Sequence, residues 1–322
     1  MTILRPFKFE TITKRTLWGG TAIAALKGVE SNETNVGESW ELSGLEGSES
    51  VVAEGDDKGL AIGQLIEKYK EELVGQKVYA QFGNRFPLLI KFIDAHRDLS
   101  LQVHPSTDDP ATGALSKDEL LYVLQSEPGA NVSVGLNRDI TLQEFDKLTE
   151  QGKLASVVKK YDTQAGDAFL VKAGNAHGFG AGNLLVEIQK ASDTTYRIDD
   201  YGRLGADGKP RELHLAQARA CINVKAYEGK CQYDAGKANE QVTIASIPEF
   251  TVSHITVDDS FDMPMPEPHS FKVVVCTKGK LVITDNNGRE THISQGQTVL
   301  LPANLTLVVL DGYGEVLLAE IK

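Results

Sequence analysis

Ten short runs of aliphatic and β-branched residues, each six to nine residues long and fenced by turn residues, limit what this chain can fold into. Five lie in the first part: PLLIKFIDA (87–95), LSLQVH (99–104), ELLYVL (119–124), AFLVKA (168–173) and LLVEIQ (184–189). A denser set follows near the end: FKVVVCT, KLVITD, TVLLPA, LTLVVL and EVLLAEI. Behind KLVITD, Asn287-Gly288 marks a tight hairpin, because both residue types tolerate positive φ. Helical periodicity is confined to three places. In 60–75, Ile62, Leu65, Ile66, Tyr69 and Leu73 share one face, with Gly75 available as a C-cap. The segment 141–160 opens on a Thr141/Glu144 capping box and predicts a second short helix after Gly152. The third is 211–222, behind Pro210. Helices this sparse do not alternate with strands. The pattern favours a mainly β barrel or sandwich with helical insertions over a doubly wound parallel sheet.

A faint internal repeat refines that expectation. GDAFLVKA (166–173) aligns with GQTVLLPA (296–303), and each follows a Gly-turn strand, EPGANVSV (127–134) or TKGKLVIT (277–284). The spacing differs because helical residues around 139–162 are inserted in the first copy. Two related barrels are therefore expected, an N-terminal one over 1–234 carrying the helical insertions and a smaller C-terminal one over 235–322. A length of 322 residues suits two such units.

Charge and cysteine usage narrow the function classes. Against 45 Asp and Glu stand 33 Lys and Arg, a net charge of −12, which speaks against a general nucleic-acid binder or a basic membrane-surface protein. The N-terminal segment lacks the apolar stretch of a signal peptide, and no 18-residue apolar run predicts a membrane span. Three cysteines without a CxxC fit no disulfide framework or zinc knuckle, so a reducing cytoplasm is expected.

The chemistry is carried by residues far apart in sequence. In LSLQVH, strand alternation puts Gln102 and His104 on one face. Glu119 opens an otherwise apolar strand, with Lys117 two residues earlier on the same parity, and His177 follows the small-residue turn Gly174-Asn175-Ala176. Two imidazoles, a carboxylate and an amide oxygen make the donor set of an open catalytic site for zinc or a similar divalent ion. A lone Gln-x-His is more often the outward polar face of a half-buried strand, and no local metal motif decides between the two. Glu187 and Gln189 share a strand face and lead into a charged loop holding Arg197. They are either a surface strand, or a base (Glu187) with a fixed cation (Arg197) for an anionic substrate. Of the other histidines, His96 is expected in a turn, His214 on a helix, and His254 and His292 facing solvent. Nothing resembles a Walker A or dinucleotide fingerprint.

Taken together, FPLLIKFIDAHRDLSLQVHP (86–105), KDELLYVLQSEPGA (117–130), GDAFLVKAGNAHGFGAG (166–182) and EIQKASDTTYRIDDYGR (187–203) resemble the type I mannose-6-phosphate isomerases. LWGG (17–20) and GESWELS (37–43) are similar to that family's opening segments, and the short chain is like its compact bacterial branch. The resemblance implies a cupin fold of two jelly-roll barrels. It implies one zinc ion per chain, held in the N-terminal barrel by Gln102, His104, Glu119 and His177. It also implies an active-site arginine at Arg197, a substrate-pocket lysine at Lys117 and an acidic pocket residue at Glu187. Lys172 stands where the general cupin signature has proline, and the segment 105–117 is shorter than in many members. The implied reaction interconverts mannose 6-phosphate and fructose 6-phosphate through a cis-enediol, with Glu187 and Lys117 both candidates for the base. In the second unit Leu307 falls where His177 would be, and His269 sits where Glu119 would be, so that barrel is expected to bind no metal. A non-catalytic sugar-binding cupin and a metal-dependent cupin oxygenase are the rival readings.

Overall fold

A computed structural model of the chain describes residues 3–30, 33–109, 111–205, 208–265 and 270–321. The first part contains β1 (Ile12–Gly20), α1 (Ala22–Lys27), β2 (Val36–Ser43), then α2 (Ile62–Tyr69), α3 (Glu71–Val74) and α4 (Gln76–Phe82). β3 (Leu88–Ala95), β4 (Leu101–Val103), β5 (Glu119–Ser126) and β6 (Asn131–Leu136) follow. After α5 (Leu142–Glu150) and a 3-10 turn (Leu154–Val157) come β7 (Val158–Asp162), β8 (Ala168–Val171), β9 (His177–Phe179), β10 (Asn183–Lys190), β11 (Tyr196–Asp199) and α6 (Leu215–Cys221). The rest is β12 (Gln241–Ser246), β13 (Thr251–Pro264), β14 (Lys272–Asp285), β15 (Glu290–Ser294), β16 (Thr298–Leu301) and β17 (Leu307–Glu320). The fold is mainly β, with antiparallel sheets and helical insertions.

Among the described residues the strands form three sheets. Two belong to the first part, in the orders β1-β2-β3-β10-β5-β8 and β11-β4-β9-β6-β7. The third runs β12-β13-β17-β14-β15, with β16 also on β14. The central strands read as unbroken apolar runs because both of their faces are covered. On one face of the first sheet, Ile90 and Phe92 of β3, Leu120 of β5, and Val186 and Ile188 of β10 pack on the helices α2–α4 and on the third sheet. On the other face, Ile93, Leu121, Val123 and Leu185 pack against Val132, Val134 and Phe179 of the second sheet. The third sheet is split by the same parity. Val273, Val275, Leu317 and Ala319 face the first sheet, whereas Val274, Cys276, Val316 and Leu318 enclose an apolar interior of their own.

The repeat has a structural counterpart: Gly129, Gly279, Gly166 and Gly296 all take left-handed φ, from 80° to 90°. Several local expectations need correction. FKVVVCT and KLVITD fuse into the single strand β14, and LTLVVL and EVLLAEI fuse into β17. Gly279 allows this, since a Cβ there would lie 2.1 Å from the Tyr313 carbonyl oxygen. In the Asn287-Gly288 turn only the glycine is left-handed. The helix over 60–75 breaks at Lys70 (φ 49°), and Gly75 (φ 90°, ψ 152°) joins α3 to α4 instead of forming a left-handed cap. Thr141 Oγ1 does cap the Glu144 N–H at 3.1 Å, but the Glu144 carboxylate pairs with Arg138 and does not close the box. The last helix starts at Leu215, four residues late, because 211–214 are engaged elsewhere, as described below. His254 is buried, not solvent-facing, stacked on Tyr122 with the tilted ring of Tyr233 also beside it, and its Nε2 is 3.5 Å from Glu315. His269 lies outside the described residues. Among the described residues no helix is long and apolar enough to cross a membrane.

Candidate active site

Strand pairing assembles the site between the first two sheets. In the second sheet Arg197 lies opposite Gln102, and Gln102 opposite His177, giving one transverse row across β11, β4 and β9. In the first sheet Lys91 lies opposite Glu187, and Glu119 opposite Gln189. Alternation turns Lys91 and Glu187 to the same side as Ile93 and Leu185, toward the second sheet. Gln102 and His104 thus face inward, so the outward polar face considered for that strand is not what forms.

His104, Glu119 and His177 are almost wholly buried, and one ligand atom from each lies within 4.8 Å of the other two. His104 Nε2 is 3.2 Å from Glu119 Oε2, and His177 Nε2 is 3.2 Å from Glu119 Oε1. Neither contact has hydrogen-bond geometry. His104 Nε2 and both Glu119 oxygens are buried without a hydrogen-bond partner. Each such atom is costly to bury unless something else satisfies it, and lone pairs converging on a shared point are what a cation satisfies. The far nitrogens are fixed: His104 Nδ1 bonds the Thr194 carbonyl and His177 Nδ1 the Asn175 carbonyl, both at 3.0 Å. Those carbonyls only accept, so the proton sits on Nδ1 and Nε2 keeps its lone pair. Burial, helped by Lys117, holds the His104 imidazole well below its ordinary value, which favours the neutral ligand form. Burial alone would raise the Glu119 carboxyl, but Lys117 offsets it and leaves it below the usual range. The Gln102 amide reaches the same place, with Nε2 3.3 Å from His177 Nε2, and a half-turn of the amide exchanges that nitrogen for Oε1. These four residues fit a divalent metal ion.

Charged groups surround this centre. Lys91 Nζ is 3.2 Å from Glu187 Oε2 and 3.5 Å from Glu38 Oε2, which also accepts the Trp40 indole N–H at 2.6 Å. Burial would lower the Lys91 ammonium, but Glu187 and Glu38 hold it well above the lysine range. Lys117 Nζ lies 3.4 Å from Gln189 Oε1 and 3.5 Å from Glu119 Oε2. Burial raises the Glu187 carboxyl, and the neighbouring Glu119 raises it further. Above them opens a cavity of about 810 Å³, lined by Gln102, Lys117, Glu187 and Arg197, and also by Lys91 and Arg211. Arg197 gives Nη1 to the Glu212 carbonyl at 2.8 Å, while its Nε is buried without a partner.

All seven residues singled out in the sequence converge here. Lys91 and Arg211 were missed. Lys91 carried a signal, being the one cation inside the apolar run PLLIKFIDA and sharing parity with Ile93. Arg211 was hidden by the helix expected after Pro210.

Known proteins resemble this chain over nearly its whole length. Residues 7–134 match the family described as phosphomannose isomerase type I, catalytic domain. The chain is 32% identical to mannose-6-phosphate isomerase ManA of Bacillus subtilis, over 98% of this chain and 99% of that one. It is 28% identical to mannose-6-phosphate isomerase of Streptococcus mutans, over 97% of each. Among solved structures, the mannose 6-phosphate isomerase from Bacillus subtilis superposes with a TM-score of 0.88 at 26% identity, covering 99% of this chain and 100% of that one.

Proposed function

Since the chain belongs to the type I phosphomannose isomerases, we propose that it interconverts mannose 6-phosphate and fructose 6-phosphate at this cavity, with one zinc ion per chain held by Gln102, His104, Glu119 and His177. Family membership separates it from the oxygenase and binding-module readings. The observation that carries the proposal is the set of buried, unpartnered ligand atoms of His104 and Glu119 beneath a cavity rimmed by cations. Bound there, zinc would supply Lewis-acid polarisation of the sugar oxygens.

The remaining work falls to the chain's own groups. Isomerisation moves a proton between C1 and C2 of the open-chain sugar through a cis-enediol, and negative charge develops on oxygen. Glu187 is our choice of base. It lines the cavity, and as a carboxylate 3.2 Å from Lys91 it is held facing the space where the sugar would sit. Lys91 orients Glu187 through their 3.2 Å contact. Lys117, the other candidate, has its ammonium set between Gln189 and Glu119. Arg197 places a fixed cation over the cavity to stabilise the developing charge. The C-terminal unit (235–322) is assigned a structural role without metal, and the N-terminal unit (1–234) the chemistry. A cytoplasmic setting suits the three free thiols.

Turnover in heavy water tests the reaction type. The account expects deuterium at C2 of mannose 6-phosphate or C1 of fructose 6-phosphate, with part of the original proton returned by a shielded base. Complete absence of label during turnover would replace proton transfer with a hydride shift.

A further inference from the structure

One wall of the cavity is built by an irregularity in β1. Arg15 and Gly20 both pair with Val36 of β2, so residues 16–19 have no partner on that strand and bulge away from it. Thr16, Leu17 and Trp18 of this bulge line the cavity. Two glycines make the bulge compact. A Cβ on Gly19 would lie 2.3 Å from the Gly37 nitrogen, and one on Gly37 would lie 2.0 Å from Thr16 Oγ1 and 2.7 Å from Trp18 Cζ3. Trp18 is buried in the same apolar cluster as Ile93, Leu99 and Phe179, and these four residues also line the cavity. They form its apolar side.

The bulge is held from the end of β3. The Arg97 N–H donates to the Trp18 carbonyl at 3.0 Å. Asp94 lies on the opposite face of β3 from Lys91 and Ile93, the face that packs on α1 through Phe92. It is buried, and its Oδ2 accepts the Ala22 N–H at 2.6 Å. That N–H opens α1, and Thr21 before it supplies no side-chain cap. Gly20 is pressed on the same oxygen, since a Cβ there would lie 2.7 Å from Asp94 Oδ2. One carboxylate thus fixes the join of β1 and α1, two residues beyond Trp18. Burial raises the Asp94 carboxyl, with the Ala22 N–H opposing it, so charge is costly there and what the join uses is an acceptor oxygen. Asp94 is not among the residues that line the cavity.

We propose that Asp94 is a positioning residue for the isomerisation: from the outer face of the first sheet it fixes the bulge and so seats Trp18 as the apolar wall against which the sugar chain packs. The proposal rests on the isomerase reading above. An open-chain hexose phosphate can rotate about each of its carbon–carbon bonds and has many poses in a cavity of this size. A fixed apolar wall excludes those that turn hydroxyls toward it, because a buried hydroxyl without a partner is costly. The poses that remain keep C1 and C2 in register over Glu187.

Asp94→Ala, Asp94→Asn and Gly20→Ala are compared in the full metal-loaded chain, by steady-state kinetics on mannose 6-phosphate and by acrylamide quenching of tryptophan emission. The chain has two tryptophans, Trp18 and Trp40, both buried. Asp94→Ala is expected to lower kcat about tenfold and raise KM about threefold with metal content unchanged, and to make part of the emission quenchable. Adding Trp18→Phe should abolish the quenchable part. Asp94→Asn keeps an acceptor oxygen and should recover most of the loss. Gly20→Ala disturbs the same contact from the other side and should reproduce the effects of Asp94→Ala, with the double variant no worse than the worse single one. Should Asp94→Ala fold poorly, Gly20→Ala decides, because it displaces the carboxylate without removing it. A lowered urea midpoint with kcat, KM and quenching unchanged would reduce Asp94 to a structural residue and overturn the proposal. Quenching that persists without Trp18, or Asp94→Asn as impaired as Asp94→Ala, would overturn it too. A quenchable Trp18 in variants of a chain that does not turn over mannose 6-phosphate would leave the hold of Asp94 on the bulge standing and remove the isomerase reading.

Discussion

The space between the first two sheets and the space enclosed by the third are built from strands of similar alternation, yet they are filled with opposite chemistry. The third sheet closes around Ile255, Met263, Val274, Cys276, Leu281, Leu310 and Leu318, and its buried carboxylate, Asp285, is paired with Arg289 at 2.7 Å. Between the first two sheets, one end holds Val132, Val134, Phe169 and Leu185, and the other holds Lys91, Lys117, Glu119, Glu187 and two imidazoles. Burying unpaired or imperfectly paired charge costs several kcal/mol per ion, so these residues are a poor way to stabilise a sandwich. Their retention in one interior and not in the other marks where the molecule gives up stability for chemistry.

Four changes break or sharpen that contrast. The largest effect is expected from His104→Ala. It removes a proposed ligand atom that has no hydrogen-bond partner, so bound metal should fall to background and kcat/KM should drop on the order of a thousandfold. Metal analysis alongside the assay checks it, and a variant that keeps its metal would remove His104 from the site. In the other interior, Leu310→Ala should lower the free energy of unfolding by about 3 kcal/mol, the usual result of a buried cavity, with metal content and kcat unchanged. Urea unfolding with metal analysis would show whether the two interiors are that separable. Arg197→Ala should reduce kcat about hundredfold with metal still bound, since Arg197 is assigned to developing charge and not to the ion. A rise in KM alone would make it a binding residue.

The smallest effect concerns pH. Glu315 is held down to about 2 from 4.5, by its contact with His254 first, with burial opposing and Lys278 helping. A depressed carboxylate contributes stability above its unfolded value, and that contribution is lost as pH falls through the folded value. Because Glu315 is partly exposed, about 1 kcal/mol is expected after screening. The stability gap between wild type and Glu315→Gln should therefore be widest above pH 4.5 and close as pH nears 2. A gap that stays constant over that range would show that the His254–Glu315 contact carries no charge-linked stability.

The contrast also explains what the sequence could disclose. Strands covered on both faces keep unbroken apolar runs that survive in the chain, so the β class was readable. The proposed metal set was not readable from spacing, because the β4 segment with Gln102 and His104, Glu119 of β5 and His177 of β9 are united only by the packing of the two sheets. There the family resemblance supplied what periodicity could not. Lys91 was overlooked because one cation in an apolar run looks like a surface interruption until its partner strand supplies Glu187. Arg211 was assigned to a helix because Pro210 is a start signal, yet two bonds to buried Asp200 outweigh the propensity of one turn. His254 looked exposed by alternation, because a sequence does not show that a second sheet will cover that face.

The central claim is that the buried charges of the first interior exist to hold a metal ion that the reaction needs. Chelated protein, wild type and Glu119→Gln, should be titrated with zinc while mannose 6-phosphate isomerisation and urea stability are followed together. The account predicts that one equivalent per chain restores turnover and raises stability in the wild type. It predicts that zinc does neither in Glu119→Gln, whose metal-free form is at least as stable as the metal-free wild type. Full turnover by the chelated wild type, or normal zinc-dependent turnover by Glu119→Gln, would contradict it.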